Sequence, residues 1–376
     1  MVKISNPFVI SGYVAPQYFC DREIETATLT KLIENGNNVA LISTRRLGKT
    51  GLIKNYFEQG IIKEKYNTFF IDIYSTKTLR EFVYALSKEI LKALKPIGKK
   101  AIEQFWNSVK SLQAGINFDP FGNPTFGLQL GDIRYSETTL DEIFSYLESS
   151  PKPCIVAIDE FQQITNYPES NIEAILRTHI QQCKNSHFIF AGSQRHIMGN
   201  MFTSPSRPFY QSVSMIHLEP IAIDKYIDFA KSHFNNYGKD INKQVIIDCY
   251  NNFDGITWYI QKMLNTLFYM TEKGGTCEVS MIDSALKNIL ESMDYVYAEM
   301  LFRLSDKQKE LLLAINKDDI AVNITSSDFV KQHGLSSSSS VQSAIKILLE
   351  KDFVTFEQGR YRLYDRFLNI WLKERF

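Results

Sequence analysis

The sequence predicts an α/β protein in which a core built on a parallel β-sheet is followed by a helical domain and a C-terminal winged helix-turn-helix domain. Two apolar runs, 39–42 and 154–158, lack polar alternation, which is typical of central parallel strands covered on both faces. Further along the chain the strand signals stop, and apolar residues recur at helical spacing. We expect the core at 1–217, the helical domain at 218–302 and the winged helix domain at 303–376.

The first apolar run leads into a loop with the spacing of a phosphate-binding P-loop. Val39–Ile42 is followed by residues 43–47 and then by Gly48-Lys49-Thr50, and a helical pattern begins directly afterwards. In this context the backbone N–H groups and the helix N-terminus point at phosphates. Lys49 is expected to reach the β- and γ-phosphates, and the Thr50 hydroxyl to ligate Mg²⁺. The candidate nucleotide-binding residues are Ser43, Thr44, Arg45, Arg46, Leu47, Gly48, Lys49, Thr50 and Gly51.

This loop departs from the usual G-x-x-x-x-G-K-[S/T] pattern at its first position. Ser43 stands where the pattern has glycine, so either Ser43 accepts the same backbone conformation or the loop differs slightly. A chance Gly-Lys-Thr after a buried strand is the alternative interpretation.

The second apolar run, Cys154–Ile158, ends in Asp159-Glu160, which is the form of a Walker B strand. Asp159 is expected to hold Mg²⁺, directly or through water, and Glu160 to polarise the attacking water. Taken alone, the two acids also fit the start of a surface loop. The two motifs together, in this order, predict ATP and Mg²⁺ as ligands.

A third apolar run, Phe188–Ala191, also ends in polar residues. In many ATPases the strand after Walker B presents a polar side chain to the water that attacks the γ-phosphate, and Ser193 and Gln194 are the candidates here. An ordinary turn at the end of the strand is the alternative. With these two residues, the catalytic candidates from the core motifs are Lys49, Glu160, Ser193 and Gln194.

Composition limits the classes of protein to which the chain can belong. It has 376 residues, with 42 Lys and Arg balanced by 42 Asp and Glu, so no global field draws it to nucleic acid or to a membrane. The five cysteines are scattered without a C-x-x-C pair, which argues against a disulfide framework or a zinc site. No apolar run approaches the length of a membrane span, and no signal peptide opens the chain, so no membrane contact and a cytoplasmic location are expected.

Several segments of the core leave two interpretations open. Asp21 is expected to N-cap a helix that ends near Gly36. Residues 115–131 alternate around a Gly-Asn-Pro turn and predict an inserted β-hairpin, which either contacts a partner or is a plain insertion. Four aromatic residues ahead of the first helix either wall an adenine pocket or belong to the core: Phe8, Tyr13, Tyr18 and Phe19.

The last segment has the order of elements of a winged helix. Helices are predicted at Asp306–Asn316, Thr325–Val330 and Val341–Lys351, followed by strands at 353–356 and 361–364. From residue 303 onward we count 12 Lys and Arg against 10 Asp and Glu, so this domain is only marginally basic. It either binds DNA or packs on protein. The candidate DNA contacts are Ser337, Ser338, Ser339, Ser340 and Gln342 on the third helix and Arg360 in the wing.

Three runs resemble the motifs of a known family, the archaeal-type ATPases of the AAA+/STAND group of P-loop NTPases. Phe19–Glu25 is similar to its F-x-[DG]-R-E-x-E entry, Arg45–Thr50 to its R-R-x-G-K-T loop and Tyr361–Leu368 to its closing run. The resemblance spans nearly the whole chain. It implies an AAA+-like core with a helical lid and a winged helix, and ATP hydrolysis with Mg²⁺.

The chain departs from the family's pattern in places that bear on hydrolysis. Ser212 stands where the family often carries an arginine, so Arg207 and Arg195 are the candidates for an arginine finger. The lid motif G-x-P is represented by Gly255-Ile256-Thr257, without its proline. Hydrolysis is therefore expected to be slow or to depend on a partner. The partners considered are another protein or a second copy of this chain through self-association.

Two functions are compatible with these observations. The first is an ATPase that works as a nucleotide-regulated switch, and the alternative is a DNA-binding regulator in which nucleotide has mainly a structural role. A kinase is disfavoured because the sequence shows no recognisable acceptor site.

Overall fold

The structure is a computed structural model that describes residues 4–112, 116–118, 124–126 and 128–376. The helices are α1 Glu23–Glu34, α2 Lys49–Glu58, α3 Gly60–Lys65, α4 Leu79–Leu94, α5 Lys99–Ser108, α6 Ser136–Ser149, α7 Ile172–Gln182, α8 Arg195–Thr203, α9 Ile223–Asn236, α10 Lys243–Asn252, α11 Thr257–Met270, α12 Met281–Phe302, α13 Asp306–Asp318, α14 Ser327–Gln332, α15 Ser338–Glu350 and α16 Arg366–Arg375. The strands are β1 Val39–Ile42, β2 Asn67–Asp72, β3 Ile116–Phe118, β4 Pro124–Phe126, β5 Cys154–Asp159, β6 Ser186–Gly192, β7 Ser214–His217, β8 Asp240–Ile241, β9 Thr276–Cys277, β10 Val354–Glu357 and β11 Arg360–Leu363.

Five parallel strands form the central sheet in the order β2-β5-β6-β1-β7. The three strands predicted to carry the site, β5, β6 and β1, are therefore direct neighbours. Because they are parallel, their carboxyl ends lie at one edge of the sheet, where α/β proteins commonly bind ligands. The loops that follow these three strands thus meet at one place.

The sheet is buried on both faces, as its continuous apolar runs predict. Alternate residues of one strand pack in different clusters: Ala40 and Ile42 of β1 lie in one hydrophobic cluster, and Val39 and Leu41 lie in the other. The first cluster includes residues of α4 to α8, and the second includes residues of α1 and α2. Two layers of helices therefore hold the strand that leads into the predicted P-loop in place.

The predicted β-hairpin is present in the backbone. β3 and β4 pair antiparallel, with Ile116 opposite Phe126 and Phe118 opposite Pro124. The residues between the two strands, 119–123, include most of the predicted turn and lie outside the described part of the chain.

Two details of the core differ from the expectation. β7 was not predicted, since the short sequence Ser-Met-Ile-His is only partly buried and has no long apolar run. The expectation that Asp21 caps α1 is wrong, because Arg22 occupies the N-cap position with φ of +71° and no side chain caps the helix. The carboxylate of Asp21 instead lies 3.6 Å from the ammonium of Lys225.

The chain divides into two compact units. The first comprises Met1–Phe229 together with Gly255–Gln261, and the second comprises Ala230–Asp254 together with Lys262–Phe376. The predicted boundaries at 217 and 302 stay a prediction.

Within the second unit, the C-terminal segment has the predicted winged helix arrangement of α13, α14, α15 and the antiparallel pair β10–β11. α15 begins at Ser338, three residues earlier than predicted, because the Ser337 hydroxyl accepts a hydrogen bond from the backbone N–H of Ser340 and caps the helix. The final helix, α16, was not predicted. Its start is capped by Asp365, whose carboxylate accepts from the backbone N–H of Phe367.

In the described part of the chain, no helix combines the length and the apolar character that crossing a bilayer would require.

Candidate functional site

The loop between β1 and α2, predicted to bind phosphate, contains two residues with positive φ. Gly48 is the N-cap residue of α2 with φ of +92°, a conformation that glycine adopts without strain. Arg46 also has a positive φ, of +70°. Ser43 is not among the residues with positive φ, so this position needs no glycine here, and the Ser43 hydroxyl donates to the carbonyl of Thr44 at 2.8 Å. The substitution of serine for the first glycine of the pattern is therefore compatible with the loop.

Lys49 lies across this loop and is almost completely buried. Its Nζ donates to the carbonyl of Ser43 at 3.2 Å, to the Ser43 hydroxyl at 3.1 Å and to the carbonyl of Thr44 at 3.3 Å. Burial lowers the pKa of Lys49 to about 8, although the carboxylates of Glu160 and Asp159 act in the opposite direction. An anion beside this amine would restore its charge, which is what the phosphates of a nucleotide would do.

Thr50 and Asp159 meet at the ends of α2 and β5. The Thr50 hydroxyl donates to Oδ2 of Asp159 at 2.5 Å. Burial raises the pKa of Asp159, and the hydrogen bond from Thr50 opposes this rise. A hydroxyl and a buried carboxylate at this distance are oxygen donors of the kind that Mg²⁺ prefers, and Mg²⁺ usually takes its remaining ligands from phosphates and water. The described residues contain no cluster of three or more His, Cys, Asp or Glu side chains suited to a metal ion.

Glu160 is held by side chains from two elements. Its backbone has φ of +55°, and its Oε2 accepts hydrogen bonds from the Ser193 hydroxyl at 2.9 Å and from the side-chain amide of Gln162. Ser193 in turn accepts a hydrogen bond from Nε of Arg45 at 3.3 Å. The structure thus brings together the predicted residues Glu160 and Ser193, and it adds Gln162, which the sequence did not indicate.

Two predicted catalytic residues are placed differently. Gln194 occupies the N-cap position of α8 and is not among the residues that line the cavity described below. Arg207 pairs with the carboxylate of Glu173, and it does not line the cavity either. Their proposed roles, including the arginine finger, stay predictions.

A cavity of about 370 Å³ opens beside the P-loop, a volume within the range of small-ligand pockets. All of its lining residues belong to the first unit. Of the four aromatic residues for which the sequence left an adenine pocket and the core open, Tyr13, Tyr18 and Phe19 line this cavity, whereas Phe8 does not and is fully buried. The remaining lining residues are Val9, Ile10, Gly12, Val14, Ala15, Cys20, Arg22, Arg45, Arg46, Leu47, Gly48, Lys49, Thr50, Gly51, Glu160, Ile221, Thr257, Trp258 and Gln261.

The segment Gly255–Gln261 returns to the P-loop. The guanidinium of Arg46 stacks over the rings of Trp258, at 4.4 Å, and Tyr259, at 4.8 Å, and it donates to the Tyr259 hydroxyl. The backbone N–H of Trp258 donates to the carbonyl of Arg46 at 3.1 Å. The segment therefore contacts the loop without the proline of the G-x-P motif.

Arg22 fixes the loop from the other side. This residue is 3% exposed, and its guanidinium donates to the carbonyl of Leu47 at 3.1 Å and to the carbonyl of Glu219 at 2.8 Å. The sequence placed Arg22 in a family motif but gave it no role. The sequence analysis did not identify Trp258, Gln261 and Arg22 as cavity residues, because no sequence pattern links residues so far along the chain to this loop.

Comparison with known proteins agrees with this architecture. The family model described as "ATPase domain predominantly from Archaea" matches residues 19–263, and the model described as "Probable winged helix domain" matches residues 295–374. The comparison with curated proteins gave no match.

Among solved structures, the chain is similar to a Walker-type ATPase of Pyrococcus abyssi, with a TM-score of 0.67 at 20% identity over 98% of this chain and 99% of that one. It is also similar to the ORC2 protein of Aeropyrum pernix in ADPNP-ADP complexes, with a TM-score of 0.59 at 13% identity over 98% of both chains. The ORC1 protein of the same organism, in complex with DNA, gives a TM-score of 0.53 at 13% identity over 96% of this chain and 94% of that one. These likenesses confirm the AAA+-like fold. Because the first family model covers more than half of the sequence, the chain belongs to the family of ATPase domains found predominantly in Archaea, with a winged helix domain following the ATPase domain.

Proposed function

We propose that the protein is a Mg²⁺-dependent ATPase that acts as a nucleotide-regulated switch. The observation that carries this proposal is the convergence of Lys49, the Thr50–Asp159 pair and Glu160 at one edge of the sheet, beside one cavity. Each group supplies a different part of the chemistry of phosphoryl transfer to water.

In this mechanism, Lys49 binds the β- and γ-phosphates and releases the carbonyls of Ser43 and Thr44 that it contacts in the free protein. Thr50 and Asp159 would hold Mg²⁺, which supplies positive charge for the phosphate oxygens. Glu160 orients the attacking water, and Ser193 keeps that carboxylate in place through its hydrogen bond.

The proposed switch rests on the continuity of α11. This helix begins at Thr257, and three residues of its first two turns, Thr257, Trp258 and Gln261, line the cavity. From Lys262 onward the same helix belongs to the second unit. A nucleotide that moves Trp258 or Gln261 therefore acts on a helix that both units share.

The deciding experiment compares Lys49→Ala with a matched control, Lys92→Ala, in which an exposed lysine of α4 is removed. We expect calorimetry to show ATP binding for wild type and Lys92→Ala and none for a folded Lys49→Ala protein. ATP turnover is expected to require Mg²⁺ and to stop in chelator. Unchanged ATP affinity in Lys49→Ala would remove the P-loop assignment.

The second candidate function, DNA binding by the winged helix, is supported by the polar face of α15 and by the exposed Arg360 of the wing. The structurally similar ORC1 protein was solved in complex with DNA. The exposed residues of α15 that would face a groove are Ser338, Ser339, Gln342, Ser343 and Lys346. These residues carry few positive charges, so the surface is expected to bind DNA weakly and mainly through its phosphates.

Anisotropy titration of labelled duplex DNA at low salt, with and without ATP, tests this second function. We expect binding that ATP alters. No binding at micromolar protein under either condition would favour a protein-docking role for the domain.

A further inference from the structure

The P-loop carries two consecutive arginines, and their side chains have different partners. Arg46 stacks on Trp258 and Tyr259, as described above. Arg45 lines the cavity beside Lys49, and its Nε donates to the hydroxyl of Ser193 at 3.3 Å. Arg45 is therefore directed at the strand end that positions the catalytic carboxylate.

A short chain of hydrogen bonds joins Arg45 to that carboxylate. The Ser193 hydroxyl, which accepts from Arg45, donates to Oε2 of Glu160 at 2.9 Å. The positive charge of Arg45 also acts on Lys49, where it contributes to the lowered pKa of the amine. Arg45 thus lies within electrostatic reach of the two groups that would contact the γ-phosphate and its attacking water.

The other arginines considered for an arginine finger are placed less favourably. Arg207 is paired with Glu173, and Ser212 offers no guanidinium. Arg195 lowers the pKa of Lys49 less than Arg45 does, and it does not line the cavity.

We propose that Arg45 is the catalytic arginine of this ATPase and acts on the γ-phosphate bound by its own chain. This inference rests on the proposed hydrolysis of ATP. A bond forms between the water oxygen and the γ-phosphorus, and the bond from that phosphorus to the β–γ bridging oxygen breaks. ADP leaves with the electron pair, and the water proton passes to the carboxylate of Glu160.

Negative charge spreads over the γ-phosphoryl oxygens and the bridging oxygen during this step, and a guanidinium that donates to them stabilises the transition state. Arg45 would exchange the Ser193 hydroxyl for these oxygens, while Ser193 keeps its hydrogen bond to Glu160. A single chain then contains every charged group that hydrolysis needs, so no second protein has to insert an arginine.

The first test measures ATP turnover and ATP binding for Arg45→Ala and for the matched control Arg80→Ala, which removes an exposed arginine of α4. In Arg45→Ala we expect turnover to fall by about 10³-fold or more, since a catalytic arginine contributes about 10³ to 10⁵ in rate. ATP affinity should change by less than about fivefold, because Lys49 and the loop backbone remain. Arg80→Ala should match wild type in both measurements.

Three further measurements separate a catalytic role from a structural one. Arg45→Ala should bind ADP normally but lose the tighter binding of ADP with aluminium fluoride, a mimic of the transition state. Free guanidinium at low millimolar concentration should restore part of its turnover. Wild-type turnover per molecule should not depend on protein concentration.

Three results would overturn the inference. The first is turnover in Arg45→Ala within about threefold of wild type, too small a loss for a catalytic arginine. The second is loss of ADP binding together with turnover, which would make Arg45 a part of the binding loop only. The third is recovery of activity on mixing Arg45→Ala with Glu160→Gln, which would show an arginine acting between chains. If wild type binds ATP but never hydrolyses it, the proposed ATPase function fails together with this inference.

Discussion

The buried Lys49 predicts an unusual pH dependence of ATP binding. In the free protein the pKa of this amine is about 8, whereas phosphates that require the ammonium form should raise it well above that value in the complex. Above pH 8 the free amine is therefore neutral, and binding must take up a proton. Between about pH 7 and about pH 9.5 the charged fraction falls about thirtyfold, so ATP affinity should fall by the same factor, or about 2 kcal/mol.

The other cavity residues with shifted pKa values do not titrate between about pH 7 and about pH 9.5. Burial raises the pKa values of Tyr13 and Cys20 to about 12, so both stay neutral up to pH 9.5. A falling affinity across the range would therefore report on Lys49.

Calorimetry at about pH 9 in two buffers of different ionisation enthalpy measures the proton uptake directly, and about one proton per ATP is expected. Lys49→Arg is the matched control, because a guanidinium stays charged over the whole range. If this variant binds ATP, its affinity should be independent of pH. A flat affinity and no proton uptake in wild type would refute the reasoning about Lys49.

Three further changes have expected outcomes. Glu160→Gln keeps the shape of the side chain but cannot accept the proton of water, so ATP should still bind while turnover falls by about 100-fold or more, measured with radiolabelled ATP. Turnover equal to that of wild type would show that Glu160 has no catalytic role. Asp159→Asn should weaken ATP binding in Mg²⁺ but not in EDTA, and equal losses in both would argue against a metal ligand. If the winged helix binds DNA, Arg360→Ala and Lys346→Ala should each weaken binding to all sequences and reduce the salt slope by about one, and a change confined to one sequence would contradict phosphate contacts.

The strands that carry the site could be predicted from the sequence for a simple physical reason. A central parallel strand is covered on both faces, so β1, β5 and β6 appear as unbroken apolar runs, and the polar residues that end them mark the carboxyl edge of the sheet. The winged helix could also be predicted from the sequence, because capped helices and a short hairpin are local patterns. β7 could not be predicted, because its four residues contain no long apolar run. The position of Asp21 could not be predicted either, because it lies beside Lys225, a contact between residues far apart in sequence.

From local patterns alone, the sequence predicts the candidate groups of the site: a P-loop with Lys49 and Thr50, and the acids Asp159 and Glu160. The partners of its side chains were decided by tertiary structure. The strand order β5-β6-β1 brings Arg45 to Ser193, although 148 residues separate them, and the same fold pairs Arg207 with Glu173 away from the cavity. Such contacts depend on which strands become neighbours, and strand order is set by packing of the whole sheet and not by any local pattern.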